Sequence, residues 1–488
     1  MIVKILFLIL FFLTMVGVGV YSRKHATNVN DFVLGGRSVG PWLTAFAYGT
    51  SYFSAVVFVG YAGQFGYKYG ISATWIGIGN ALIGSLLAWV ILGRRTRVMS
   101  KHLSAATMPD YFGKRYDSNT LKIVASAIAF IFLIPYTVCV IVMAALTGVY
   151  VILGGYMATA INDFIQGVIM LFGIVAVIVA VLNGQGGFYE AVMNLAEIES
   201  DVPLTMGQKG VFASFFGPDL PNLIGVVILT SLGTWGLPQM VHKFYAIKDE
   251  KSIKSGTIIS TFFAIVVSGG CYFLGGFGRL YDTPAIYSES GKIVYDAIIP
   301  AMLSTLPDIL VGVVVVLVLS ASMSTLSSLV LTSSSTLTLD LLKDNIIKDM
   351  NEKKQLLIMR IMLVFFIVVS VVIALDPPTF IAQLMGISWG ALAGAFLAPF
   401  LYGLYWKGVT KAAVWASFIC GVLLTLSNMF LKFIASPINA GAIAMIAGLI
   451  IVPVVSLITP KMDKKKLDSI FSCLDETVTV SRKKSIEE

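Results

Sequence analysis

Long runs of apolar residues, separated by short polar segments, account for most of this chain. Most runs are near the roughly 20 residues that a helix needs to cross the hydrocarbon core of a bilayer. Their apolar residues are continuous instead of alternating with polar ones, which argues against a transmembrane β-barrel. The runs cover about 2–21, 41–67, 72–93, 121–154, 164–182, 222–246, 256–277, 306–338, 357–375, 379–405, 412–431 and 440–459. The pattern predicts an all-α polytopic membrane protein with about twelve transmembrane helices.

Composition excludes the main alternatives to a membrane protein. Of the 488 residues, 57% are hydrophobic and 12% are charged, against about 25% charged in an average soluble domain. The cysteines Cys139, Cys271, Cys420 and Cys473 lack the spacing of a disulfide framework or a zinc site. We also find no cluster of nucleophile, base and metal ligands. We therefore expect no enzyme, no nucleic-acid partner and no obligate protein partner.

The distribution of basic residues predicts the orientation of the chain. Lysines and arginines concentrate after residues 21, 93, 246, 338, 405 and 460, whereas segments 183–220 and 278–305 are richer in acidic residues. The positive-inside rule places the basic segments in the cytoplasm. We therefore expect a multi-pass protein of the cell membrane, with its N-terminus outside and its C-terminus in the cytoplasm.

One segment conflicts with a simple alternation of spans. Lys114 and Arg115 should lie inside and Lys209 outside, so an odd number of crossings must separate them. Because the run 164–182 supplies one crossing, the apolar stretch of about 123–154 must supply an even number. It is too long for one upright span and too short for two ordinary ones. The stretch is either a cramped hairpin or a region that lacks a span.

Two spans are interrupted by glycine and polar residues at mid-depth. The interruptions are 47–54, within the run 41–67, and 230–238, within the run 222–246. Pro238 has no N–H and disrupts an interior helix. Interrupted spans in corresponding halves of a transporter indicate its binding site, because unwinding frees backbone carbonyls for a cation. The alternative is that the glycines only allow close helix packing and the serines bond to their own turn.

The run 306–338 is rich in hydroxyl side chains in its second half. Adjacent hydroxyls at Ser324 and Thr325, facing unwound carbonyls, could hold Na⁺, since hard cations take oxygen ligands. Asp163 is the clearest ionisable candidate near a span. We expect no arginine or lysine at mid-span that could pair a carboxylate, so an anionic substrate would rely on helix N-termini and on Na⁺ itself.

Several motifs follow one another in a distinctive order. They are Leu34–Pro41, the interrupted span after it, Met108–Phe112 and Met323–Ser327. Together, in order and spacing, they make the chain similar to the sodium:solute symporter family, including the bacterial sodium/proline and sodium/pantothenate symporters. The resemblance extends over nearly the whole chain, to about residue 460.

The resemblance implies a leucine-transporter-like core of five plus five helices in inverted repeats, within about thirteen spans. The first repeat would cover about 41–182 and the second about 222–405. Together with the flanking spans they form one integral domain, 1–460, followed by a cytoplasmic tail, 461–488. Each interruption then lies in the first helix of a repeat.

The resemblance also implies a sodium site. By position, Thr50, Phe53 and Ala321 would bind Na⁺ through backbone carbonyls. Ser324 and Thr325 would bind it through their hydroxyls. Na⁺ is the only cofactor that the resemblance implies, as the coupling ion.

Further residues match, or replace, positions that the proline symporter uses for sodium or substrate coupling. Tyr52 stands where that symporter has Asp, and Thr230 where it has Trp, so the substrate contacts are not preserved as a set. Trp235 lies at the second interruption. The predicted substrate or coupling residues are Ser54, Tyr52, Tyr136, Asp163, Thr230 and Trp235.

A second departure from the family lies in the stretch with the unusual charge count. Relatives have roughly 20 more residues between Ile134–Thr137 and Ala145–Gly148, where this chain has only 138–144. The missing part would belong to a helical hairpin inside the first repeat.

The sequence therefore predicts a sodium-coupled symporter that imports a small organic solute by alternating access. The solute would be proline, another amino acid, or a monocarboxylate such as pantothenate, and the other partner is the lipid bilayer. The alternatives are an impaired or non-transporting member, because of the shortened hairpin near 138–144, and a proton-coupled symporter.

Overall fold

Helices are the main secondary structure in the part of the chain that the computed structural model of the protein describes, residues 2–137, 141–343, 345–347, 349–375 and 381–474. In this part, nine helices are long and apolar enough to cross a membrane. A tenth span is formed by the bent pair Leu220–Gly236 and Pro238–Ala246, whose axes differ by 47°. These helices confirm the predicted all-α polytopic membrane protein.

Two of the nine helical stretches each contain two spans. Val56–His102 has 47 residues and would extend about 70 Å as one straight helix, more than twice the roughly 30 Å hydrocarbon core. It turns at Gly70, where φ is +63° and a Cβ would lie 2.1 Å from the carbonyl oxygen of Phe212. Met143–Gly184 likewise breaks at Gly155, where φ is +53°. With these divisions and the shorter helix Asn119–Leu133, the count agrees with twelve to thirteen spans.

Three helical units build the centre of the molecule. The first broken helix consists of Pro41–Tyr52 and Ala62–Tyr69, joined through a π-helical segment, Val56–Tyr61. The second broken helix consists of Leu220–Leu232 and Pro238–Ala246. The hydroxyl-rich helix is Asp308–Thr336. The remaining α-helices are Ile2–Ser22, Val29–Leu34, Thr74–Gly79, Arg94–His102, Met108–Arg115, Asn119–Leu133, Ile141–Gly184, Phe188–Ala196, Glu250–Ala264, Gly270–Gly275, Ile298–Ser304, Glu352–Leu375, Ile381–Tyr405, Lys411–Leu431, Pro437–Ile458 and Lys464–Phe471.

The segment with the unusual charge count forms two short helical arms. The first is Asn119–Leu133 with a 3₁₀ turn, Ile134–Thr137, and the second begins at Ile141 and reaches the break at Gly155. At 1.5 Å per residue, the second arm is only about 21 Å long before that break, less than the hydrocarbon core. Residues 138–140, which belong to the stretch 138–144 that is predicted to be shortened, lie outside the described residues. The arms agree with a cramped hairpin.

The two broken helices are joined at one end. A parallel bridge connects Val39 and Ile247: the Val39 N–H donates to the Ala246 carbonyl (3.2 Å) and the Lys248 N–H donates to the Val39 carbonyl (2.9 Å). We call this end of the molecule the Arg37 side. It is closed by backbone contact between the segments that precede and follow the two broken helices.

Arg37 ties this closure to neighbouring helices. Its guanidinium donates hydrogen bonds to the carbonyl of Ala105 (2.6 Å), the carbonyl of Tyr245 (3.2 Å) and the hydroxyl of Ser100 (3.1 Å). Because hydrogen bonds from a charged donor are stronger than those between neutral groups, this cluster fastens the closed end.

The opposite end, the Lys68 side, carries a cavity of about 660 Å³. Its lining includes Gln64 and Lys68 from the second half of the first broken helix, and Asn222 and Val226 from the second broken helix. The two halves of each broken helix therefore lie in different surroundings. The pair is closed at the Arg37 side and borders a wide cavity at the Lys68 side.

Candidate functional site

The first broken helix loses its regular hydrogen bonding at the predicted depth. Its first half ends at Tyr52, and Phe53 has φ −97° and ψ 84°, outside the helical region. Helical bonding resumes when the N–H groups of Val57 and Phe58 donate to the Ser54 carbonyl. The carbonyls of a helix's last turn have no partner within the helix. The break therefore leaves backbone oxygens available near Thr50, although helix persists through most of the interruption predicted over 47–54.

The second broken helix bends within its predicted interruption. Leu220–Leu232 is followed by a 3₁₀ turn, Gly233–Gly236, and a new helix begins at Pro238. Proline is favoured in the first turn of a helix, where its missing N–H would have no helical partner. Gly236 lies so close to the backbone of Ala393 that a Cβ added at Gly236 would be 2.8 Å from the Cα of Ala393.

Oxygen atoms from the first broken helix and the hydroxyl-rich helix converge beside the first break. The Ser324 hydroxyl is 3.2 Å from the Thr50 carbonyl oxygen and 3.2 Å from that of Ala321. The Thr325 hydroxyl is 3.4 Å from the same Thr50 oxygen. Phe53 and Ala321 line one small cavity. The structure thus brings together all five residues of the predicted sodium site.

The chemistry of this cluster suits a hard monovalent cation. The predicted donors are three carbonyls and two hydroxyls, and oxygen is the ligand that hard cations prefer. Ser324 is fully buried and Thr325 is 4% exposed, so a bound ion would be largely removed from water. Ser54 lines the same cavity, and its buried hydroxyl has no hydrogen-bond partner among the residues that the structure describes. It is a further oxygen available to a ligand.

Two of the predicted substrate residues, Tyr52 and Thr230, meet between the two breaks. The Tyr52 hydroxyl donates to the Thr230 carbonyl, which links the first broken helix to the second. The Trp235 indole N–H donates to the Ile83 carbonyl at 3.0 Å. The Tyr52 ring also stacks on Phe53, with centroids 4.4 Å apart. Tyr52, Thr230 and Trp235 are therefore engaged with backbone or aromatic neighbours, and Tyr52 directly precedes the predicted sodium ligand Phe53.

Asp163 is fully buried and lies opposite a lysine that the sequence analysis overlooked. The Lys243 ammonium is 3.6 Å from an oxygen of Asp163, and both side chains are at most 2% exposed. The expectation that no lysine or arginine lies at mid-span to pair a carboxylate is therefore wrong. Lys243 lies inside the apolar run 222–246. A single charged residue within a predicted span was therefore the feature of the sequence that could have indicated this pair. The side chain of Tyr136 lies outside the described part of the chain.

The comparisons with known proteins agree on one family. The family model for the sodium:solute symporter family matches residues 32–135 and 128–421. The sodium/proline symporter of Staphylococcus aureus (strain JH9) is 28% identical over 519 residues, covering 97% of this chain and 95% of that protein. The matched length exceeds the 488 residues of this chain, so the relative has residues that this chain lacks. The two matched ranges overlap at residues 128–135, next to the stretch 138–144 that is predicted to be shortened.

A solved structure has the same fold. The substrate-bound outward-open state of a Na⁺-coupled sialic acid symporter superposes with a TM-score of 0.76 at 17% identity, covering 94% of this chain and 98% of that one. This likeness confirms the predicted transporter fold. Because the family model matches most of the chain, it also confirms the expected transport class and Na⁺ as the coupling ion. This multi-pass membrane protein belongs to the sodium:solute symporter family.

Proposed function

We propose that this protein is a sodium-coupled symporter that imports a small organic solute by alternating access. The observation that carries the proposal is the convergence of Thr50, Ala321, Ser324 and Thr325 oxygens where the first broken helix meets the hydroxyl-rich helix. Phe53 completes the proposed ligand set from the same cavity.

Coupling follows from where the ion would bind. Na⁺ in this cluster would bridge two helices that must separate or rotate when the transporter changes state. A ligand that binds one conformation better than another shifts the population toward it. We infer that Na⁺ favours the conformation that is closed at the Arg37 side and borders the cavity at the Lys68 side.

The sodium gradient supplies enough energy for accumulation. Moving one charge through 100 mV releases about 2.3 kcal/mol, and a tenfold Na⁺ gradient adds about 1.4 kcal/mol. The sum of about 3.7 kcal/mol would support roughly 500-fold accumulation of a neutral solute.

We propose that the protein lies in the plasma membrane with its Arg37 side facing the cytoplasm. The N-terminus is then outside and the tail, 461–488, inside, as the basic loops predict. The tail is described as far as Leu474, including the helix Lys464–Phe471. The first inverted repeat would cover about 41–182 and the second about 222–405.

The proposed solute is proline, another amino acid or a monocarboxylate such as pantothenate. The match to a sodium/proline symporter supports an amino acid. We propose that Tyr52, Thr230 and Trp235 border the solute, because Tyr52 and Thr230 meet between the two breaks and Trp235 lies in the turn of the second one. Ser54, Asp163 and Tyr136 complete the proposed coupling residues. We propose no catalytic residue.

The proposal is tested by thermal unfolding of the purified protein in Na⁺ and in K⁺ at equal ionic strength. A ligand that binds only the folded state raises its stability by mass action, so no solute need be known. We expect Na⁺ to raise the midpoint selectively and Thr325→Ala to remove most of that rise. An equal response to Na⁺ and K⁺ in the folded wild type would refute the assigned site. Uptake into vesicles at acid pH without sodium would support proton coupling.

A second candidate is an impaired or non-transporting member of the family. It is favoured by the short helical arms around residues 138–140 and by the residues that the sodium/proline symporter has and this chain lacks. A sodium-specific thermal shift without solute flux, in vesicles supplied with a panel of amino acids and monocarboxylates, would support this candidate. Sodium-driven accumulation of any one of them would exclude it.

A further inference from the structure

Lys243 has the surroundings of a bound cation. Its ammonium donates to the Ser328 hydroxyl at 2.8 Å, faces the Asp163 carboxylate at 3.6 Å and lies 5.4 Å from the centre of the Tyr156 ring. A carboxylate, a hydroxyl and an aromatic face are groups that attract a cation. The carboxylate and the ring come from the helix Ile141–Gly184, the hydroxyl comes from the hydroxyl-rich helix, and the ammonium comes from the second broken helix.

This ammonium lies close to the proposed sodium site. Ser328 is four residues beyond Ser324 on the hydroxyl-rich helix, a rise of about 6 Å. The Ser328 hydroxyl is also 2.7 Å from the hydroxyl of Ser51, the neighbour of Thr50 on the first broken helix. The hydroxyl-rich helix thus contributes oxygens both to the proposed Na⁺ and to the lysine, and the first broken helix is linked to the lysine through the Ser51–Ser328 contact.

We propose that Lys243 is a tethered cation that fills a second cation site, formed by Asp163, Ser328 and Ser51, beside the proposed Na⁺ site. This inference rests on the proposed function. The protein therefore binds a single Na⁺, because its own ammonium occupies the neighbouring site. Without Lys243, the vacated carboxylate and hydroxyls bind a second Na⁺.

Asp163 has a defined role in this arrangement. A fixed positive charge bonded to a residue about one helical turn from the Na⁺ site would repel the ion, and the Asp163 carboxylate offsets that repulsion. Among the described groups around Lys243, His242 adjoins it on the same helix and Tyr150 and Tyr156 come from the helix that carries Asp163. Asp163 is the only carboxylate that the structure places within 4 Å of the ammonium, as far as the described residues extend.

The competing explanation is a purely structural ion pair. Breaking a buried pair by removing one partner is strongly destabilising, so loss of stability alone would not distinguish the two. The distinguishing quantities are the number of Na⁺ ions bound and the Na⁺ affinity. A structural pair has no reason to change either of them.

The experiment measures Na⁺ binding to the full chain in detergent, by isothermal calorimetry and by thermal shift in NaCl against choline chloride. Lys243→Met should bind two Na⁺ ions where the wild type binds one. Asp163→Asn leaves the lysine charge without its counter-charge, so its Na⁺ dissociation constant should rise on the order of 10- to 100-fold, from the repulsion at this distance. The double variant Lys243→Met, Asp163→Asn should again bind one ion, within about threefold of the wild-type affinity.

A matched control separates this effect from general damage. Lys122 is another largely buried lysine, 3.3 Å from Asp110 and 3.5 Å from Asp340. Lys122→Met breaks a comparable ion pair away from the proposed site, and should lower stability without changing Na⁺ number or affinity.

Two outcomes would overturn the inference. One is a single Na⁺ bound with wild-type affinity by Lys243→Met. If that variant does not fold, the other is wild-type Na⁺ affinity in Asp163→Asn, whose amide has the shape of the carboxylate. Absence of any Na⁺ response in the wild type would instead refute the proposed function itself.

Discussion

Ser324→Ala offers a sharp test of the proposed sodium site, because it removes one atom that the structure places at the centre of the cluster. The hydroxyl lies 3.2 Å from the carbonyl oxygens of both Thr50 and Ala321 and is fully buried. Alanine is a better helix former than serine and leaves almost no cavity. The variant should fold, and the change should fall mainly on Na⁺.

The expected size follows from the loss of one oxygen from five proposed ligands. An interaction with a charged group contributes about 1.5–3 kcal/mol, which corresponds to a rise in the Na⁺ dissociation constant of roughly 10- to 150-fold. At a Na⁺ concentration of about 100 times the wild-type constant, binding stabilises the fold by about 2.7 kcal/mol. A 30-fold weaker variant would keep only about 0.9 kcal/mol of that.

The assay is a Na⁺ titration of the unfolding midpoint, with choline as the replacement cation. Ser335→Ala is the matched control, since Ser335 is fully buried on the same helix and its hydroxyl donates to the Leu331 carbonyl at 2.6 Å. Both variants lose a buried hydroxyl, but only Ser324→Ala should lose Na⁺ response. If the two variants and the wild type gave the same titration, the assignment of Ser324 as a ligand would be wrong.

Three further predictions concern closure, packing and the tail. Arg37→Ala removes the charged hydrogen bonds at the closed end, so hydrogen exchange of the backbone amides of Val39 and Lys248 should become faster. Gly66→Ala places a Cβ 2.0 Å from the Gly275 carbonyl, and such overpacking should lower the free energy of unfolding by about 1–3 kcal/mol or more. Lys466 lies 2.6 Å from Asp117 and lowers the pKa of that carboxyl. The ion pair is therefore fully formed above the ordinary pKa of aspartate, about 4, and is lost as the pH falls through the lowered pKa of Asp117. Its loss should reduce the protection of the backbone amides in Lys464–Phe471 against hydrogen exchange.

Each of these predictions has a control. Gly17→Ala adds a methyl group with nothing within 4 Å and should leave the unfolding midpoint unchanged. Arg37→Lys keeps the charge but offers fewer donors than arginine, so its exchange should be intermediate. Asp117→Asn should make the protection of the tail amides, relative to their intrinsic exchange rates, independent of pH over the acid range. Protection that still fell with pH in that variant, after correction for intrinsic exchange, would contradict the ion-pair explanation.

The sequence by itself determined the class of protein and the positions of its breaks. Continuous apolar runs can only be helices in a membrane, because every backbone polar group must be satisfied within its own segment. Pro238 and the glycine-rich 230–236 region interrupt one run for local steric reasons, and the structure bends there. The shortened stretch near 138–144 was also visible, because span length is a property of the sequence alone.

Only the tertiary structure decided which atoms meet. Thr50 and Ser324 are separated by 274 residues along the chain, and their approach depends on how the two helices pack. Resemblance to a family suggested the pairing, but the distances come from the fold. The same holds for Tyr52 and Thr230, whose contact joins the two broken helices.

Lys243 shows the limit most clearly. In the sequence it is one charge in an apolar run, indistinguishable from an interfacial residue near the end of a span. The fold turns it inward, against Asp163 and Ser328. The role of a buried charge depends on the counter-charge and hydroxyls around it, since its electrostatic energy is set by its distances to those groups and by the local dielectric constant. Those quantities exist only once the helices are packed together.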